Sequence, residues 1–394
     1  MDKRTVRDVE VSGRRVLVRV DFNVPLDDCG RVADDRRIRE SLPTVRYLLE
    51  HGAAVVLMSH LGRPGGRVVE ELRMAPVGER LGQLLGQPVR VLPDCVGPQV
   101  EALIGQLRPG DVALLENLRF HPGEEANDPA FAAALARLAD LYVNDAFGTA
   151  HRAHASTVGV ARLLPAVAGL LMEKEIRYLS RLLENPDHPF VAVLGGRKVS
   201  DKMGVLANLL QRVDAVLIGG GMAYTFLRAR GLSVGRSVVE EDKVELAERL
   251  MEQARQRGVE LLLPEDVAVA QRPAADVPRR VVLVREIPEG WMGLDVGPAT
   301  VQRFAQVVER ARLVVWNGPM GVFEVEPFAE GTRRLAEVVA RCPGTTVVGG
   351  GDTAAALEQL GMLDRFDHVS TGGGATLEFL EGKELPGIRV LQDR

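Results

Sequence analysis

A chain of 394 residues is too long for one ordinary core and, at ~100–200 residues per domain, suits two. Its 46% hydrophobic and 26% charged residues lie near the values of soluble globular proteins, which excludes disordered, collagen-like and low-complexity classes. A formal charge of −5 argues against a general nucleic-acid or membrane-surface binder held by a basic field, yet the basic residues are unevenly divided, 43 Arg to six Lys.

The first residues, MDKRTVRDVEVSG, are polar and hold no apolar signal core. The most membrane-like stretch, LLPAVAGLLM at 163–172, falls well short of the ~20 residues a span needs. Cys29, Cys95 and Cys342 show no C-x-x-C or other metal-ligand spacing, and an odd number makes a poor disulfide framework. A protein of the reducing cytoplasm is expected, with no membrane and no nucleic acid among its partners.

Along the chain, short apolar β-branched runs alternate with stretches of helical spacing, the pattern of βαβ units and a parallel sheet, so the fold class is α/β. VLVRVDF (16–22), AVVLMSH (54–60), VRVL (89–92), VALLEN (112–117) and LYVNDAF (141–147) read as strands of a first series. The uninterrupted amphipathic pattern LLMEKEIRYLSRLLEN (170–185) follows and reads as a helix joining two lobes. A second series comprises FVAVLGG (190–196), AVLIGGG (215–221), VELLLP (259–264), LVVWNG (313–318), TTVVGGG (345–351) and HVSTGGG (368–374), repeatedly ending in glycine. No short tandem repeat is present, which excludes solenoids and propellers.

Ligands of open α/β sheets sit beyond the carboxyl ends of the strands. In the first series those positions carry Arg36, His60, Arg63, Arg119 and Arg152. Taken singly, each arginine of so arginine-rich a chain reads as a solvated surface charge, and His60 as a structural histidine. Jointly they read as a cationic cradle for a small polyanion, because guanidinium forks match carboxylate and phosphate oxygens two at a time. His151 and His154 lack a third ligand and make a poor metal site.

The second series offers glycines at the same positions. GGRKVSDK (195–202) sets Lys198 and Lys202, two of the six lysines, on a strand-to-helix turn. NGPMGVFE (317–324), GGGDT (349–353) and STGGGAT (370–376) also follow strands. Backbone N–H groups at a glycine turn and the positive end of a helix dipole favour phosphate, and Asp352 beside such a turn is a natural magnesium anchor. This half reads as a nucleotide site. It contains no G-x-x-x-x-G-K-[ST], so it is not a P-loop. GGGDTA (349–354) fits the dinucleotide pattern G-x-G-x-x-A, but a dinucleotide fold wants it at the first βα turn, and an NAD-dependent oxidoreductase is set aside on that mismatch.

Taken in order, VDFNVP, SHLGRP, LENLRFHPGEEAND, YVNDAFGTAHRAHAST, GLLMEKE, GGRKVSDK, GGGMAYTF, GWMGLDVGP, VVWNGPMGVFE, VVGGGDT and STGGGA closely resemble the bacterial phosphoglycerate kinase family over essentially the whole chain. The resemblance implies two Rossmann-like lobes, each a parallel sheet flanked by helices: residues 1–170 for 3-phosphoglycerate, a connecting helix at 171–186, and 187–379 for the magnesium nucleotide. The tail 380–394 returns to the first lobe. The implied reaction is reversible phosphoryl transfer from 1,3-bisphosphoglycerate to ADP by a hinge-bending enzyme, expected to be a monomer with only these small molecules as partners. A non-catalytic protein that kept the fold would be expected to lose Arg36, Lys198 or Asp352, and all three are present.

Carried over by resemblance, Asp21, Phe22 and Asn23 meet the glycerate, and His60, Leu61, Gly62, Arg63, Arg119 and Arg152 form the patch for its 3-phosphate. Arg36 reaches the transferring phosphoryl group, with Lys198 as partner and Gly372, Gly373 and Gly374 supplying amides. Lys202, Gly293, Glu324, Gly350, Gly351, Asp352 and Thr353 contact the nucleotide, with Asp352 on Mg2+. One departure stands out: Arg197 occupies a position where the family has a small residue; it is expected to point to solvent, the alternative being that it adds to the phosphate field and tightens nucleotide binding.

Overall fold

The structure is a computed structural model describing residues 2–394. It divides into two compact units, one running to Arg177 and completed by Glu384–Arg394, the other Tyr178–Lys383. The boundary falls inside the helix Leu170–Leu183. The tail crosses back only from Glu384, since Gly374–Leu380 is a helix of the second unit.

In the first unit, β1 (Arg15–Arg19), β2 (Ala54–Met58), β3 (Val89–Val91), β4 (Val112–Leu114), β5 (Leu141–Asn144) and β6 (Ala166–Ala168) form one sheet in the order β3-β4-β2-β1-β5-β6. Every pairing is parallel. β2 and β5 are buried along their whole length, which is why they read as continuous apolar runs rather than alternating ones. The core packs Val16, Val18, Val55 and Leu57 against Ile38, Val45 and Leu48 of the helix Arg36–Glu50. β6 lay hidden in LLPAVAGLLM; at three residues it is too short to show a period. The tail docks beside it, with Gln392 N–H donating to Ala166 O at 3.0 Å and Arg4 N–H to Gln392 O at 2.8 Å.

The second unit repeats the plan with β7 (Phe190–Leu194), β8 (Ala215–Ile218) and β9 (Glu260–Leu262), and adds an antiparallel sheet of β10 (Asp266–Ala270), β11 (Arg280–Leu283) and β12 (Met292–Val296). β13 (Leu313–Asn317), β14 (Thr345–Gly349) and β15 (His368–Val369) complete the main sheet in the order β15-β14-β13-β7-β8-β9, again all parallel. The antiparallel sheet was not anticipated. β12 contains glycine and aspartate, both poor strand formers, and β11 is largely exposed, so neither shows a buried-strand signal.

Candidate functional site

Both main sheets change direction beside their first strand, and most of the predicted residues follow the carboxyl ends of their strands; Gly293 does not, lying inside β12 of the antiparallel sheet. In the first unit the loops after β1, β2 and β4 are bound together. Asn23 Oδ1 accepts from Gly62 N–H at 2.8 Å, Phe22 N–H donates to Ser59 Oγ at 2.9 Å, and Arg119 Nη1 donates to Gly62 O at 3.0 Å. The buried Asn117 carboxamide brackets Leu61, accepting from its N–H at 3.2 Å and donating to its carbonyl at 2.7 Å. Asp21, Phe22, Asn23, His60, Leu61, Gly62 and Arg119 therefore form one cluster.

That cluster is crowded with cations. Burial pushes the Arg119 guanidinium below its ordinary range; Glu125 opposes this, while Arg19 and Arg152 add to it. Burial alone would push the Asp21 carboxyl up, but the guanidinium groups of Arg37 and Arg19 hold it below the usual range, and Arg37 Nη1 reaches Asp21 Oδ2 at 2.7 Å. Arg63 is exposed, Arg152 is half-buried, and Arg36 opens its helix with its N–H on Asp34 Oδ1 at 2.8 Å. Like charges held this close are an arrangement an anion would relieve.

Two residues of this site escaped the sequence reading. Arg19 is fully buried at the end of β1, donating from Nε to Ser156 Oγ at 2.8 Å and from Nη2 to His60 Nδ1 at 3.1 Å. Ser156 in turn donates to Glu124 Oε1 at 2.5 Å. The signal was available, since a charge inside the apolar run VLVRV has no reason to be buried without partners. Asn117 is the other, hidden between the more conspicuous Glu116 and Arg119.

In the second unit the glycines first serve close packing. A Cβ on Gly318 would fall 2.2 Å from Gly195 C, and one on Gly220 2.6 Å from Gly196 N. The turns after β7, β8 and β13 thus stack backbone on backbone. Gly293 is similarly required, because a Cβ there would lie 1.9 Å from the Tyr224 hydroxyl. The helices Gly351–Gln359 and Gly374–Leu380 have Gly350 and Gly373 at their N-caps, and neither start is capped by a side chain. Helix starts without a side-chain cap suit an anion, although in the second helix the Ala375 N–H is already taken by Gly372 O at 2.8 Å.

Around these starts stand Thr353, buried and donating to Gly349 O at 3.0 Å, the exposed Gly351 and Asp352, and Gly372, whose N–H meets Ser370 Oγ at 3.2 Å. Lys202 is held below its ordinary range by burial, opposed by the charges of Asp201, Asp352 and Glu381. Lys198 and Arg197 are exposed, and so is Glu324 in the turn after β13. Glu240 fixes the lysine turn, taking Ser200 N–H at 3.0 Å and the Ser200 hydroxyl at 2.6 Å. Asn317 was missed: it is fully buried, and neither polar atom of its carboxamide has a protein partner. A Cβ on Gly350 would touch its Oδ1 at 3.2 Å, so this unsatisfied amide lies against the uncapped turn. The G-x-G-x-x-A match sits here, after the fourteenth strand rather than the first.

A phosphoglycerate kinase family model matches residues 6–383. Over 100% of both chains, this one is 59% identical to the phosphoglycerate kinase of Moorella thermoacetica, and over 99% of both it is 61% identical to that of Thermomicrobium roseum. Among solved structures, phosphoglycerate kinase from Coxiella burnetii superposes with a TM-score of 0.91 at 42% identity, covering 98% of each chain. The enzyme from Pyrococcus horikoshii OT3 gives 0.85 at 36%, covering 99% of this chain and 98% of that one.

Proposed function

This chain belongs to the phosphoglycerate kinase family, and from that premise we propose how its residues divide the reversible transfer of a phosphoryl group from 1,3-bisphosphoglycerate to ADP. The first unit holds the glycerate. Arg63, Arg119, Arg152 and His60 take its 3-phosphate, while Asp21 and Asn23 orient the glycerate end. The second unit holds the nucleotide, whose phosphates cap the helices starting at Gly351 and Gly374 and pair with Lys202. Glu324 and the Gly293 region border the adenosine.

The observation that carries this division is the contrast between the two strand-end clusters, side-chain cations in one and helix starts without side-chain caps in the other. In the reverse direction the attacking group is a carboxylate, ionised at neutral pH, so no general base is needed. What remains is positioning and charge neutralisation at the group in flight, the work we assign to Arg36, Lys198 and the turn Gly372 to Gly374, where the Gly372 N–H must leave Ser370 Oγ to take part.

Magnesium suits the donor set of the second site, where the exposed Asp352 carboxylate sits in the first helical turn beside Gly350, near Lys202 and the unsatisfied Asn317 amide. Asp352 would hold it, and the ion supplies charge neutralisation on the nucleotide phosphates. Because donor and acceptor belong to different units, turnover includes a closure step that also keeps water from the acyl phosphate.

The cysteines form no disulfide, as suits a reducing cytoplasm, and a hinge that needs free lobes favours a monomer acting on these small molecules. The test of the whole reading is a coupled assay with 3-phosphoglycerate, MgATP and a downstream dehydrogenase. Steady NADH consumption dependent on both substrates is expected; no turnover overturns it.

A further inference from the structure

The loops after β3 and β4 bring together a side-chain cluster that the transfer reaction does not use. Asp94 and Cys95 precede the helix Pro98–Ile104, and His121 follows the turn Leu118–Phe120. They are far apart in sequence, but β3 and β4 are neighbouring parallel strands, so their trailing loops meet. One carboxylate oxygen, the Cys95 sulfur and one imidazole nitrogen all lie within 4.8 Å of one another. From this geometry we propose that Asp94, Cys95 and His121 form a zinc(II) site distinct from the nucleotide's magnesium.

The ligand types decide the ion. A thiolate, an imidazole and a single carboxylate suit zinc, whereas magnesium and calcium want oxygen alone. Three protein ligands leave a fourth position, and the Asp94 side chain is 50% exposed, which provides both an entry path and room for a water. The outer contacts are also in place: Cys95 N–H donates to Asp94 Oδ1 at 2.6 Å and orients the carboxylate, and the His121 ring stacks on Phe131 with centroids 5.0 Å apart.

Without metal, His121 Nε2 and Asp94 Oδ1 are hydrogen-bonded at 2.5 Å, and the Cys95 thiol donates to Glu116 O at 2.9 Å. Bonds of ~2.0–2.3 Å in a tetrahedral site set the ligand atoms roughly 3.3–3.7 Å apart. The imidazole and carboxylate must therefore separate by about 1 Å. Zinc then takes the Nε2 lone pair of the neutral ring, whose proton moves to Nδ1. The S–H bond breaks, the sulfur–zinc bond forms, and the thiol proton leaves to solvent.

His121 lies two residues after Arg119 and its N–H is bonded to Leu118 O at 3.2 Å, so the ion would tether the segment that carries a substrate arginine.

The test is titration of the whole enzyme, saturated with Mg2+, with zinc against a chromophoric chelator, and in parallel with cobalt(II). One tight zinc equivalent and a near-ultraviolet sulfur-to-cobalt charge-transfer band are expected. His121→Asn should weaken zinc more than about tenfold while sparing turnover in the absence of zinc. Cys95→Ser should abolish the band, and because Cys95 is fully buried, Asp94→Asn serves as a surface variant that does not depend on refolding the interior. Absence of the thiolate band, or undiminished zinc affinity in His121→Asn and Asp94→Asn, overturns the site.

Discussion

The fully buried guanidinium of Arg19 presents Nη2 to His60 Nδ1 at 3.1 Å. A guanidinium only donates, so Nδ1 is the acceptor and the imidazole proton resides on Nε2. Burial pushes the His60 pKa well below the ordinary 6.5, opposed by Asp21 and reinforced by Arg19 and Arg119. His60 is thus a neutral ring of fixed tautomer among cations, offering an N–H donor without adding charge. Long-range proton–nitrogen correlation spectra should show the Nε2–H tautomer throughout about pH 5.5 to 8. Titration of this ring near its ordinary value, or an Nδ1–H tautomer, would count against the arrangement. Arg19→Lys should preserve the buried charge but loosen the ring, raising KM for 3-phosphoglycerate more than it lowers kcat.

Arg36 is assigned to the group in flight, and that role separates kinetically from ground-state binding. Arg36→Ala should lower kcat by the equivalent of ~2–4 kcal/mol with little change in either KM, as for loss of one electrostatic donor. An unchanged kcat with a raised KM for 3-phosphoglycerate would move Arg36 into the static anion patch.

Asn317 supplies a test that stability and function should answer in opposite ways. A buried amide without partners already carries its desolvation cost in the free enzyme, so Asn317→Ala should stay within about 1 kcal/mol of the parent in urea unfolding. Nucleotide phosphate is the group that would satisfy the amide, so KM for ATP should rise at least several-fold. Lys202→Ala should also raise KM for ATP, by removing a charge rather than a dipole, and because Lys202 is largely buried its effect should depend little on added salt. A variant of Asn317 with unaltered nucleotide KM would show that the amide faces away from the ligand.

Much of the scaffold was legible because parallel strands buried on both faces announce themselves as apolar runs, and the residues closing each run mark the strand ends where ligands sit. Arg119 and Lys202 could be read in that way. Asn317 and Asn117 could not, since an asparagine after a strand looks the same whether its amide is satisfied by backbone or left open. The glycines misled in part. Gly318 and Gly220 are demanded by backbone contact between turns, which no one-dimensional pattern separates from phosphate binding. The Asp94, Cys95 and His121 cluster was invisible for a related reason: ligand spacing is read along the chain, and these ligands meet only because β3 and β4 are neighbours in the sheet.

At the start of the helix Leu170–Leu183, Asp145 Oδ1 accepts from Leu171 N–H at 3.0 Å and Met172 N–H at 3.2 Å. Gly169 makes room for this, since a Cβ there would fall 2.1 Å from the same oxygen. Burial pushes the Asp145 carboxyl from 3.8 up to about 7, only partly offset by Thr44 and the two N–H groups. An acid whose pKa is raised by folding lends stability that is complete below the unfolded value and is lost as pH rises through the folded one. The window therefore runs from about pH 4 to about pH 7, and with roughly 1.4 kcal/mol per unit the loss is about 4 kcal/mol at most. Asp145→Asn keeps an oxygen for the helix start and removes the titration. In urea unfolding of both proteins at matched pH, the parent should lose stability relative to the variant as pH rises across that window. Parallel curves would mean that Asp145 is ionised in the folded protein throughout, with its charge carried by the helix N-terminus it caps.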